Sequence, residues 1–221
     1  MNFIPAKESR FYILFFDFYI RWLLKRRFKK VWIKQNYVPQ SSSKTVYFAN
    51  HNSWWDGLLP LFLSRKVFKQ NARAFMEDKQ MVQYSFFSKI GAFSVNLTNT
   101  KSTIQSLRYA VNSLNRETAS LYIYPEGELT PVTSSKPTFK HGLAWLFQNL
   151  DTNVDFVPIA FYTHNFSASK PELYIQVGNP ITCDHNLSKS ELTNLFENEV
   201  HNLLIYTREV AGKTNDGFKK I

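Results

Sequence analysis

A histidine followed five positions later by an aspartate is the pattern in this chain best suited to chemistry: Asn50-His51-Asn52-Ser53-Trp54-Trp55-Asp56. An imidazole titrates at about pH 6.5, so its neutral form accepts a proton under physiological conditions. A carboxylate bound to the other ring nitrogen fixes the tautomer and stabilises the imidazolium that forms. His51 with Asp56 is therefore equipped to draw a proton from a substrate group. Residues five apart do not share a helix face, so the pair needs a turn that folds one side chain back on the other. Taken alone, the spacing equally describes a surface histidine near the aspartate of a helix start. His141, His164, His185 and His201 have no comparable partner and no neighbour at metal-ligand spacing, so no metal site is expected. The single cysteine, Cys183, can form neither an internal disulfide nor a cysteine-built zinc site, which fits a reducing compartment.

Stepping outward, residues 45–49 (TVYFA) read as a strand that delivers the histidine just beyond its carboxyl end, where α/β enzymes place reactive groups. Residues 120–124 (SLYIY), 155–162 (DFVPIAFY) and 173–177 (LYIQV) are three further strands rich in β-formers. Between them Ile104, Leu107, Val111 and Leu114 fall at helical spacing, with Ser102 as the cap. Ser188 and Glu191 form a capping box for a last helix that lines up Leu192, Leu195, Phe196, Val200, Leu203 and Leu204. Residues 130–137 (TPVTSSKP) read as an exposed loop. Strands alternating with helices in 221 residues predict a single α/β domain with a mainly parallel or mixed sheet flanked by helices.

The first 40 residues read as a segment apart from a domain over 41–221. Residues 11–24 (FYILFFDFYIRWLL) are nearly all apolar but contain Asp17 and Arg21, and Lys25, Arg26, Arg27, Lys29 and Lys30 follow at once. A spanning helix needs about 20 apolar residues with few charges, and a signal peptide needs an unbroken core and a small-residue cleavage site. The segment is expected instead to be an amphipathic helix at a membrane surface, its aromatics in the headgroup boundary and its cations towards anionic lipid. That places the protein at the cytoplasmic face of a membrane, peripherally. The whole chain carries 27 Lys and Arg against 17 Asp and Glu, a net +10, and 20 phenylalanines. Such an excess attracts polyanions, nucleic acid included. No nucleic-acid motif is visible, however, and much of the charge stands beside the apolar helix, so no nucleic-acid partner is expected.

The ordered motifs resemble the glycerolipid acyltransferase family, typified by enzymes that acylate lysophosphatidic acid. Asn50, His51 and Asp56 match its first block, an Asn-His followed by four residues and an Asp. Pro125-Glu126-Gly127-Glu128-Leu129-Thr130 occupies the place of its Pro-Glu-Gly-Thr-Arg-Ser, and Val157-Pro158-Ile159 that of its late strand. Phe139-Lys140-His141-Gly142 and Val177-Gly178-Asn179-Pro180-Ile181 are similar to two further family patterns, extending the likeness over residues 44–182. The resemblance implies direct transfer of a fatty-acyl group from acyl-CoA or acyl-carrier protein to a lipid hydroxyl, with no bound cofactor. It makes His51 the general base, oriented by Asp56. It makes Asn50, Ser53, Asn96, Glu126, Gly127, Glu128 and Lys140 the substrate-binding candidates, with backbone amides around Gly127 as oxyanion donors. Trp54 and Trp55 either line a channel or pack in the core.

Two departures bear on the acceptor. Gly91-Ala92-Phe93-Ser94-Val95-Asn96-Leu97 stands where the family has a stretch ending in Asp-Arg, and Leu129 again replaces an arginine. Those arginines are the family's expected phosphate ligands, and leucine cannot imitate their bidentate fork. The expected acceptor is therefore a lipid alcohol without phosphate at that position, a reading that Glu128 strengthens by repelling phosphate. The alternatives are a lysophosphatidic acid acyltransferase that binds phosphate through Lys136, Lys140 or Arg108, and a non-catalytic lipid- or nucleic-acid-binding protein.

Overall fold

A computed structural model describes residues 3–131, 135–166, 169–184 and 186–221. Regular structure begins with α1 (Arg10–Arg27), β1 (Lys30–Gln35) and β2 (Lys44–Ala49). A 3₁₀ turn (Trp54–Gly57), α2 (Leu59–Leu63) and a π-turn (Ser64–Phe68) lead to β3 (Asn71–Glu77), α3 (Asp78–Gln83), α4 (Phe86–Lys89) and β4 (Ala92–Val95). Then come α5 (Thr100–Ser113), β5 (Ala119–Ile123), α6 (Gly142–Asn149), β6 (Val154–His164), β7 (Glu172–Val177), α7 (Lys189–Val210) and β8 (Lys219–Lys220).

The eight strands of the described residues form one mixed sheet in the order β4-β3-β5-β2-β6-β7-β1-β8. From β4 to β6 every pairing is parallel, so these strands present their carboxyl ends at one edge. β7 runs antiparallel to β6, and β1 lies parallel to β7. β2 sits in the middle of the sheet, and the residues that follow it emerge among the ends of β5 and β6. Successive β2 residues alternate between two cores, as the period of a strand requires. Val46 and Phe48 pack beneath α5, α6 and α7, whereas Tyr47 and Ala49 pack beneath α1 and α2. With both faces covered, the central strands read as continuous apolar runs.

The four expected strands are β2, β5, β6 and β7, each within a few residues of its expected bounds. β1, β3, β4 and β8 complete the sheet and were not anticipated. β3 (NARAFME) has no β-branched residue and is largely half-buried, while β1 begins within the basic cluster that reads as a helix end. Because β1 pairs with β7, the sheet draws strands from both sides of residue 40. α5 is capped by Asn99, whose side chain accepts from the Ser102 N–H at 3.0 Å, rather than by Ser102 itself. Its buried face includes Ser106, Ala110 and Ser113, and Ile104 is exposed. The Ser188–Glu191 capping box is formed, and Leu192, Phe196, Val200 and Leu204 of α7 are buried.

α1 crosses one face of the sheet. The strand-like segment before it is stitched to α4 and β4 by backbone bonds from Lys7 to Ser88, Ser9 to Lys89 and Ser94 to Ile4. Ile20 and Leu24 are buried, and Phe16 stacks on Phe86 of α4. Asp17 and Arg21, the charges that interrupt the apolar run, bind each other across one turn at 2.8 Å. The outer side leaves Phe11, Phe15, Phe18 and Trp22 exposed, Phe18 by 74%. No helix among the described residues is long and apolar enough to cross a membrane. Of the expected loop over 130–137, residues 132–134 lie outside the described residues, and Lys136 beyond them reaches Glu197 on α7 at 3.0 Å.

Candidate active site

The turn that the His51–Asp56 spacing demands is the 3₁₀ turn Trp54–Gly57, begun by Ser53. The Ser53 hydroxyl accepts from the Trp55 N–H, while Asp56 reaches back to accept from the Ser53 N–H at 2.9 Å. This reciprocal cap, formed by serine and an acidic residue three positions on, closes the turn. The same carboxylate oxygen also accepts from the Asn52 N–H at 2.8 Å and meets His51 Nδ1 at 3.0 Å. Asp56 is buried, at 2% exposure, and one of its carboxylate oxygens collects all three contacts, whereas 22% of the His51 side chain remains open. Donation from Nδ1 to Asp56 leaves His51 Nε2 as the proton acceptor, and among the described residues it has no partner.

A second loop holds His51 from the other side. Its N–H donates to Glu126 Oε1 at 2.6 Å, and its carbonyl accepts from the Thr130 N–H at 2.8 Å. The Thr130 hydroxyl donates to the other Glu126 oxygen. Tyr124 stacks on the imidazole with ring centroids 4.5 Å apart, and its hydroxyl donates to the Asp56 carbonyl at 2.5 Å. Burial, with the nearby Asp56 charge, holds the Tyr124 phenol well above its ordinary pKa, so it remains a donor. Burial likewise raises the Glu126 carboxyl, against the opposing effect of its bonds from Thr130 and the His51 N–H. Asn50 clamps the strand end to β6, donating to the Phe161 carbonyl at 3.0 Å and accepting from the Phe161 N–H at 2.8 Å. Asn52 donates to the same carbonyl.

The substrate-binding candidates thus fall into two groups. Asn50, Ser53 and Glu126 spend their polar atoms holding the loops, and Asn96 binds Asp78 of α3 and Thr98. Glu128 and Lys140 stand in the second group, with no side-chain partner among the described residues. Gly127 lies between the two groups, at φ +75°, a left-handed conformation that favours glycine. A Cβ there would lie 2.8 Å from both Leu97 Cδ1 and Lys140 Nζ, so Leu97, Gly127 and Lys140 converge on one spot. Leu97 and Leu129 are 40% and 49% exposed. The Gly127 N–H donates to the Tyr124 carbonyl at 3.0 Å, so an oxyanion donor in this loop would be one of the neighbouring amides. A cleft of about 400 Å³ adjoins the site, lined by Glu126, Glu128, Lys140 and, from α7, Leu204 and Arg208; His51 is not among its lining residues.

Trp55 packs edge-on against Phe28, and Trp54 is exposed beside it. His141 binds Thr193 and His164 accepts from the Phe166 N–H, while His185 lies outside the described residues. Among the described residues no group of three or more His, Cys, Asp and Glu side chains is placed to hold a metal. Sequence reasoning missed Tyr124, Thr130 and Asn52 as supports of His51. Thr130 falls within a recognisable block, but nothing in spacing marks a strand-end tyrosine as the surface on which an imidazole stacks.

A family model described as Acyltransferase matches residues 30–162, more than half of the chain. No curated protein matches the sequence significantly. Among solved structures the chain is similar to the 1-acyl-sn-glycerophosphate (LPA) acyltransferase PlsC from Thermotoga maritima. The likeness has a TM-score of 0.64 at 16% identity and covers 90% of this chain and 80% of the other.

Proposed function

The chain belongs to the acyltransferase family, and from that premise we propose that it moves a fatty-acyl group from an acyl thioester to the hydroxyl of a membrane lipid. The observation that carries the proposal is the His51 Nδ1 to Asp56 bond at 3.0 Å, with the other ring nitrogen unpartnered. His51 Nε2 takes the proton of the acceptor hydroxyl as its oxygen attacks the thioester carbonyl. The tetrahedral oxyanion then collapses, the carbon–sulfur bond breaks, and the imidazolium returns the proton to the departing thiolate. Asp56 keeps Nδ1 protonated and stabilises the imidazolium. General-base assistance of this kind contributes roughly 10²–10⁴-fold in rate. The donor is acyl-CoA or acyl-carrier protein.

α1 supports a peripheral membrane location at the cytoplasmic face. Its exposed aromatics form one side of an 18-residue helix that ends in Lys25, Arg26 and Arg27. Phe28, directly after it, touches Trp55 of the catalytic turn, so a bilayer against α1 would lie close to His51.

For the acceptor, two exposed leucines at the positions of the family's arginines support a lipid alcohol without a phosphate there. One observation favours the alternative: the Lys140 ammonium lies beside Leu97 and Gly127 with no partner among the described residues, ready to meet phosphate as a point charge. Lys136, by contrast, is held by Glu197 and two asparagines of α7. Turnover of lysophosphatidic acid and of neutral lipid alcohols, followed by mass spectrometry with one thioester donor, tests both readings. Preference for the neutral alcohol, unchanged in Lys140→Gln, is the expected result. Efficient turnover of lysophosphatidic acid that collapses in Lys140→Gln would establish the alternative. No turnover of either acceptor, or turnover unaffected by His51→Ala, would overturn the catalytic proposal itself.

A further inference from the structure

The described residues enclose a second cleft, of about 450 Å³, at the opposite edge of the sheet. Its walls come from the first turns of α1, from α2 and the π-turn, and from the start of β3. Ala72 of β3 is level with Ser120 of β5, which is level with Thr45 of β2. His51 follows Thr45 by six residues along that direction, placing the cleft roughly 20 Å from the imidazole. It therefore serves none of the steps described above.

Four guanidiniums line it: Arg10, Arg65, Arg73 and Arg116, against the single carboxylate of Glu8. Glu8 is shared between two of them, binding Arg73 at 2.6 Å and Arg116 at 3.4 Å. Arg10 and Arg65 have no side-chain partner among the described residues. Burial, and then the like charge of Arg73, work against the Arg116 guanidinium, with Glu8 and Tyr109 only partly opposing them. The site has a positive excess that the protein leaves uncompensated. Its floor is fixed: Ser64 and Gln70 are buried, and Gln70 is tied to Tyr47 and Thr45 while Ser64 is tied to Tyr122.

Apart from Asn71, the rest of the lining is apolar, from Ile13, Leu14, Leu61, Ala72 and Ile90. Leu14 is also half exposed on α1, next to the outward-facing Phe11, Phe15 and Phe18. The apolar wall thus runs out onto the aromatic side of the helix. An 18-residue helix is about 27 Å long, and this one has Lys25, Arg26 and Arg27 at its far end. Cations stand at both ends of one aromatic face.

We propose that this cleft binds the phosphate headgroup of an anionic phospholipid as a non-substrate anchor, its chains passing over Leu14 along α1. The guanidinium fork suits phosphate oxygens bidentately, and the adjoining apolar wall distinguishes a lipid from free phosphate. The binding geometry would pin the amino end of α1 at the bilayer while its basic carboxyl end lies near His51.

Titration of the full chain with monomeric dihexanoyl phosphatidylserine, followed by calorimetry, tests the proposal without any turnover. Saturable binding is expected, weakened at least tenfold in Arg10→Gln/Arg65→Gln and unchanged in His51→Ala and Lys140→Gln. Both arginines are exposed, so the double variant should keep the thermal midpoint. Leu14→Ser should also weaken the lipid, giving a second reading that leaves every charge in place. Absence of binding, equal binding of dihexanoyl phosphatidylcholine, equal affinity for inorganic phosphate, or full binding by the double variant would each overturn it. Because no acyl transfer is measured, failure here is separable from failure of the catalytic proposal.

Discussion

Two neighbouring parts of the site are built in opposite ways. Around His51 each polar side chain that shapes the loop has a partner: Asn50 with Phe161, Ser53 with Trp55, Glu126 with His51 and Thr130, Asp56 with three donors. A few ångströms on, around Gly127, the side chains of Leu97, Glu128, Leu129 and Lys140 are exposed, and the two charged ones have no partner among the described residues. The first part is preorganised, as the general base proposed for His51 would require. The second is bound by no internal network, so its residues can change without disturbing the fold. If the first part carries the proposed chemistry and the second the choice of acceptor, the two are separable, and substitutions in them should behave differently.

The largest effect is expected from His51→Ala, which removes the proposed base and should lower kcat by about 10²–10⁴-fold. The thermal midpoint should hardly move, because the ring is partly open and its removal strands only one contact of Asp56. Asp56→Ala should come next and should differ in kind. It takes the acceptor from two backbone N–H groups and the imidazole together, so stability should fall by roughly 1–3 kcal/mol alongside kcat. Asp56→Asn still offers one oxygen to that corner and should recover most of the stability but not kcat, since a neutral amide no longer stabilises the imidazolium. If Asp56→Asn restored both, Asp56 would be a structural cap alone.

The first part was also the more legible in the sequence. Asn50, His51 and Asp56 stand in a short ordered block, and the turn between them follows from a spacing that no helix satisfies. The strand that delivers them is a continuous run of buried β-formers. What was hidden depends on pairing between distant segments: β1 and β3 become strands because β7 and β5 offer edges, although their own alternation is weak. Tyr124 became part of the site because β5 ends beside β2. The engagement of the Gly127 N–H was hidden for a similar reason, as the turn that needs its positive φ also uses that N–H.

The second part should respond by changing preference rather than rate. Leu97→Arg would restore a guanidinium fork beside Gly127 without touching any polar contact of His51. A charge-assisted bond contributes about 1.5–3 kcal/mol, and 1.4 kcal/mol is about tenfold. Because Leu97 is 40% exposed, the lower figure applies. The ratio of kcat/KM for lysophosphatidic acid over a neutral alcohol should rise about tenfold, with the stability unchanged. An unaltered ratio would mean that Leu97 does not face the acceptor, and the separation of the two parts would have to be redrawn.

The smallest effect lies on the boundary between the parts, at Glu126, and it concerns stability. Burial raises the carboxyl of Glu126 in the folded protein above its unfolded value, in spite of the two bonds it accepts. The folded state then binds the proton more readily than the unfolded state. Its contribution to stability is fully present below the unfolded pKa and is lost as the pH rises through the folded one. Glu126→Gln keeps an oxygen for the His51 N–H and an amide for Thr130 but has no proton to exchange. The stability of the variant relative to the parent should therefore increase as the pH is raised from about 4 to 7. Chemical denaturation of both proteins across that range measures it. A difference that ran the other way would show that the bonds from His51 and Thr130 outweigh burial at this carboxyl.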